Sequence, residues 1–126
     1  MMPPIDVEDY CGPGADIELV GLAEALGLET QAGIDALRVA FDCVRVLDSK
    51  QKDYGPKNIA AFGEYGVLVR VNDKVQRLIN LAQPGKEPAH ESVDDSWSDL
   101  TNYGLIAQMI RRGLWDREPK TKQKSN

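Results

Sequence analysis

Between a few glycine and proline breaks, the apolar residues of this chain recur at intervals of three and four, and that spacing restricts the fold more than any other feature. Ile17, Val20, Leu22, Ala23 and Leu26 form a short amphipathic series, with Asp16 placed to cap it and Gly27 to stop it. A second series starts at Thr30 or Gly33 and runs to about Lys52, with Ile34, Leu37, Phe41, Val44, Leu47 and Val46 as its apolar positions. The segment Asp53-Tyr54-Gly55-Pro56-Lys57-Asn58 breaks it, because Gly-Pro both stops a helix and fixes a turn. Val67, Leu68, Val69 and Val71 taken alone suit a short buried strand. The pattern continues through Ile79, however, and a run from Gly63 to Ala82 is too long for an ordinary strand. After the loop Gln83–Pro88, a fourth helix is expected from about Glu91 to Leu114, with Val93, Trp97, Leu100, Ile106, Met109 and Ile110 as its apolar positions. The pattern predicts an all-α fold, a bundle of about four helices over residues 16–115. An irregular arm rich in Pro and Gly, residues 1–15, precedes it, and a disordered polar tail, 116–126, follows.

Composition narrows the function classes. A chain of 126 residues with 42% hydrophobic residues supports one core. At this size folding buries only about two thirds of the extended surface, which favours completion by a partner subunit. A net charge of −5 argues against nucleic acid as a partner, since affinity for a phosphate backbone needs many clustered cations. A small anionic ligand stays open, because a few basic groups in one cleft can dominate locally. Cys11 and Cys43 form no disulfide framework or CxxC site, and no basic leader or long apolar run suggests export or a membrane, so a soluble cytoplasmic protein is expected.

The residues best suited to chemistry are Glu91, Asp95 and Asp99. On a helix this four-residue spacing stacks three carboxylates along one stripe, about 6 Å apart in rise. Like charges so placed repel unless a cation lies between them, and Mg²⁺ or Mn²⁺ is the usual hard cation bound by such oxygens. The same acids also suit the first turn of a helix, where they complement its dipole, although Asp99 lies beyond that turn. Upstream, Asp73, Lys74 and Arg77 place a carboxylate beside two cations, which is also the pattern of a solvated surface. An antiparallel hairpin of the third and fourth helices would set Asp73 opposite the acidic stripe. In the 53–58 loop, Lys57 suits a phosphate, Tyr54 can stack on a base, and Asn58 or Asp53 can bond a base or sugar edge; a plain Gly-Pro turn with an aromatic anchor accounts for them as well. His90, the single histidine, reads as a capping or solvated residue.

Three linked stretches carry a resemblance: Phe62-Gly63-Glu64 with Gly66-Val67-Leu68-Val69-Arg70; Asn72-Asp73-Lys74 with Arg77-Leu78; and Glu91-Ser92-Val93 with Asp95-Ser96, Asp99-Leu100 and Asn102-Tyr103. Over roughly residues 45–113 they resemble a phage and bacterial family of nucleotide-modification-associated proteins, itself similar to the all-α MazG-like NTP pyrophosphohydrolases. The resemblance implies a helical bundle, assembled as a homodimer or homotetramer, that hydrolyses a (d)NTP to the monophosphate and pyrophosphate with Mg²⁺ or Mn²⁺. Some phage relatives act on dGTP, which implies dGTP or another purine dNTP as substrate and, for a phage protein, the host cytoplasm as its location. Glu91, Asp95, Asp99 and Asp73 would hold the metal, while Lys74, Arg77 and Lys57 would neutralise phosphates. The chain departs from the MazG pattern of ExxE on one helix and ExxD on the next: Asp73 with Lys74 and Arg77 stands where a glutamate pair is expected, and the downstream acids are spaced by four. A nucleotide-binding module without turnover and a helical interaction protein are the competing classes.

Overall fold

The structure, a computed structural model, describes residues 17–117, with side chains from residue 19 onward. The expected arm 1–15, the candidate cap Asp16 and most of the expected tail lie outside the described residues. Four helices follow one another: α1, Ile17–Ala25; α2, Gln31–Tyr54; α3, Gly63–Leu81; and α4, Val93–Arg111. No strand occurs among the described residues, so the fold is all-α there. The apolar run at Val67–Val71 belongs to helix α3, as its long periodic continuation requires.

The breaks act as their chemistry dictates. Gly27 takes φ 66°, a left-handed conformation that a side chain resists, and its N–H returns to the Glu24 carbonyl as α1 ends. The Thr30 hydroxyl accepts from the Gly33 N–H at 3.0 Å and so starts α2. Helix α2 runs two residues past the expected Lys52, to Tyr54, where Gly55 at φ 70° and Pro56 end it. Helix α4 differs most from expectation. It begins at Val93, because Ser92 and Asp95 form a capping box in which each side chain bonds the other's backbone N–H. It closes at Arg111, before the expected Leu114.

The described chain gathers into two compact units that divide within α2, after Arg45. In the first, Leu19 and Ala23 of α1 pack on Ile34 of α2, flanked by Leu37 and Phe41. In the second, α3 and α4 pack against each other, and Ile59, Val67 and Ile106 form the centre of a core edged by Leu47, Val71 and Trp115. Contacts between Arg111 and Glu64 at one end, and between Arg77 and Ser92 at the other, set α3 and α4 antiparallel. Each fully buried aliphatic side chain here contributes on the order of 1.5–3 kcal/mol relative to exposure.

Not every apolar position is inside. Ile106, an expected apolar position of α4, is a core residue, whereas Leu68, Val69, Val75 and Ile79 of α3 stay exposed. Val44 and Trp97 also face outward despite their helical spacing. No helix among the described residues is long and apolar enough to cross a membrane.

Candidate functional site

Arg70, Lys74 and Arg77 lie four and three residues apart, on one face of α3. Opposite them, α4 presents Ser96, Asp99 and Asn102, polar residues of which none is more than 5% exposed. The antiparallel pairing brings these two faces together. At one end the Arg77 guanidinium donates to the Ser96 hydroxyl, to the Glu91 carbonyl and, at 3.4 Å, to the Ser92 carbonyl. Five donors in a fixed fork suit this clasp, which holds the backbone just before α4 and thereby presents the Glu91 side chain.

Lys74 Nζ lies 2.7 Å from Glu91 Oε2 and 2.9 Å from Asp99 Oδ2, so one ammonium bridges two carboxylates. Lys50, near the end of α2, reaches the other Asp99 oxygen at 2.7 Å. Burial alone would push the Asp99 carboxyl up; the hydrogen bonds and charges of Lys50 and Lys74 outweigh it and hold the group below the usual carboxylate range. For both lysines burial pulls down, yet their bonds to Asp99, and for Lys74 to Glu91, outweigh it and raise them above the usual lysine value. A nearly buried carboxylate is thus kept charged by two ammonium groups.

These groups line a cleft of about 310 Å³, at the small end of the range for ligand pockets. Tyr54, Gly55 and Asn58 form one wall, Tyr103 of α4 another, and Arg70 of α3 adds a third cation to the lining. Among the described residues Arg70 has no hydrogen-bond or ion-pair partner. Gln51 lines the same cleft, with its carboxamide oxygen enclosed and unpartnered. An acceptor left so costs about 1–3 kcal/mol, which a ligand N–H or O–H would recover.

Of the residues expected from sequence, the cleft brings together Glu91, Asp99, Lys74, Tyr54 and Asn58. Asp95 serves the α4 cap and is not part of the lining; Asp73, Asp53 and Lys57 are exposed and lie outside it. Arg77 is engaged in the clasp and does not line the cleft. The expected helical stripe of three acids is not formed, because Glu91 precedes the first helical residue. Among the described residues no three His, Cys, Asp or Glu side chains are gathered as metal ligands. Glu91 and Asp99, however, converge on the Lys74 ammonium, and Mg²⁺ is commonly bound by one or two carboxylates completed by substrate phosphates and water. The pair would hold a divalent ion only with that ammonium displaced from between them.

Lys50, Arg70 and Gln51 were missed by sequence reasoning. Arg70 had a signal, since it continues the Lys74 and Arg77 face one turn back. Lys50 had none, because its partner lies 49 residues away. Compared with known proteins, the chain matches no protein-family model, no curated protein and no solved structure.

Proposed function

We propose that this cleft is the active site of a metal-dependent nucleoside triphosphate pyrophosphohydrolase. The observation that carries the reading is the convergence of Glu91 and Asp99 on the Lys74 ammonium inside a cleft that also holds Lys50, Arg70 and two tyrosines. Phosphates face the cations, and a base can lie against Tyr54 with its edge toward Asn58. A divalent ion, brought in with the triphosphate and held by Glu91 and Asp99, would supply charge neutralisation and would acidify water at neutral pH. The chain's own residues position: Asp99, nearly buried and held by Lys50, keeps its carboxylate oriented, and the Arg77 clasp holds Glu91 opposite it. Water oxygen bonds to the α-phosphorus and gives up a proton to solvent, while the bond from that phosphorus to the α,β-bridging oxygen breaks and its electron pair leaves with pyrophosphate, beside Lys74 and Arg70.

The exposed Phe62, just before α3, and Tyr65, Leu68 and Ile79 on it support association into a homodimer or homotetramer, and a cytoplasmic setting belongs to the same proposal. Incubation with a panel of dNTPs and Mg²⁺, dGTP and other purine nucleotides first, tests it. Monophosphate and pyrophosphate are the expected products. One observation favours a second reading, binding without turnover: Glu91 and Asp99 already have ammonium counter-ions. Saturable nucleotide binding with no product would select that reading.

A further inference from the structure

Three cations line the cleft, and they are not equivalent. Lys74 is shared by Glu91 and Asp99, and Lys50 is bonded to Asp99. Arg70, half-buried on the same wall, has no counter-ion among the described residues. A guanidinium withdrawn partly from water without an acceptor gives up hydration and receives nothing in exchange. The lining therefore holds three positive groups against two negative ones, in a chain whose overall charge is −5. Such a local surplus inside a concavity is what an anion would complete.

We infer that Arg70 is the primary anchor of the ligand's anionic group, and that this group is a phosphate or polyphosphate. The assignment deepens the nucleotide reading of the same cleft and moves the phosphate contact away from Arg77 and Lys57. Arg77 spends its donors on Ser96 and on the Glu91 and Ser92 carbonyls, and Lys57 does not line the cleft. Arg70 alone offers a complete planar fork, the geometry that meets two phosphate oxygens at once. Lys74 sits one turn along the same helix face, so a second phosphoryl group beside the first would fall within reach of an ammonium. A chain of linked phosphates is favoured over a single carboxylate for that reason.

The test uses inorganic pyrophosphate as the probe, titrated calorimetrically into the full chain at low ionic strength without divalent metal. Wild-type protein is expected to bind it saturably, and Arg70→Gln to weaken binding by about tenfold or more, the usual worth of a charge-assisted hydrogen bond. Arg70→Lys should recover part of the loss, since charge returns without the fork. Arg111→Gln, at an exposed pair with Glu64, should leave binding unchanged. Because Arg70 loses no protein partner, the thermal midpoint of Arg70→Gln should equal or exceed that of the wild type. Wild-type affinity in Arg70→Gln, no pyrophosphate binding by the wild type, or a clear fall in that midpoint would each overturn the inference. The two proposals separate cleanly: Arg70-dependent pyrophosphate binding with no dNTP turnover defeats the enzyme reading alone, and turnover indifferent to Arg70 defeats this one alone.

Discussion

Among the described residues, the two compact units of this chain differ in the charge they bury. In the first, the buried cluster is apolar, Leu19, Ala23 and Ile34, and two of its polar ties, Gln31 with Asp35 and Arg45 with Asp42, are short in sequence and wet. In the second, an apolar core of Ile59, Val67 and Ile106 adjoins a polar layer of Ser96, Asp99 and Asn102, whose ties join residues far apart in sequence. Exposed pairs contribute little and are easily replaced, whereas a buried carboxylate is tolerable only while its partners are in place. The contrast teaches where to look for chemistry: charge that has been withdrawn from water at a cost, and not charge that merely decorates a helix.

Four outcomes would break or sharpen that contrast, beginning with the largest. Ile34→Ala should cost about 3 kcal/mol in chemical denaturation, because a fully buried branched side chain leaves a cavity. Pyrophosphate affinity of the folded protein should be preserved; its loss would show that the first unit supports the cleft directly. Asp99→Asn should cost about 2–3 kcal/mol and abolish dNTP turnover, since it removes the negative charge shared by Lys50 and Lys74 and turns an amide N–H donor toward one of them. A stable, active Asp99→Asn protein would demote the polar layer to ordinary packing.

The third outcome concerns pH. The folded Asp99 carboxyl is lowered, so its stabilisation is complete above the unfolded value of about 4 and is lost as pH falls through the folded value. Lys50 and Lys74 are raised, so their share is complete below about 10.4 and is lost as pH climbs through their folded values. Denaturation midpoints against pH should show a plateau between these limits, and Asp99→Asn should flatten the acid limb. The smallest outcome is Asp42→Asn in the first unit, expected to change stability by less than about 0.5 kcal/mol, because its pair with Arg45 is exposed on both sides. A larger loss would mean that local pairs matter more than the comparison allows.

The helices were readable because periodicity and punctuation agree locally. Gly27 and Gly55-Pro56 announced their breaks, and the long run through Ile79 excluded a strand. The start of α4 was misplaced by two residues because an acidic stripe and a capping box share the same letters: Ser92-Val93-Asp94-Asp95 is a cap signature that the regular spacing of Glu91, Asp95 and Asp99 obscured. Half the cleft was readable for a similar reason. Glu91, Asp99 and Lys74 stand in conspicuous local clusters. Lys50 lies among ordinary helix-surface residues near Asp48 and Lys52, and only tertiary packing selects it. The burial of Asp99 likewise belongs to the pairing of α3 with α4, which no window of sequence contains.

One further contact gives the molecule an optical property. Trp115 donates its indole N–H to the Pro56 carbonyl at 2.8 Å, in the same turn that places Asn58 and Ile59 along the cleft. The chain's other tryptophan, Trp97, is 58% exposed. A Trp97→Phe protein would therefore retain one indole, which can be excited apart from the tyrosines and is tied to the cleft wall by its own hydrogen bond. Its emission wavelength would report whether that wall is closed on the indole or open to water, without an added dye or a coupled assay.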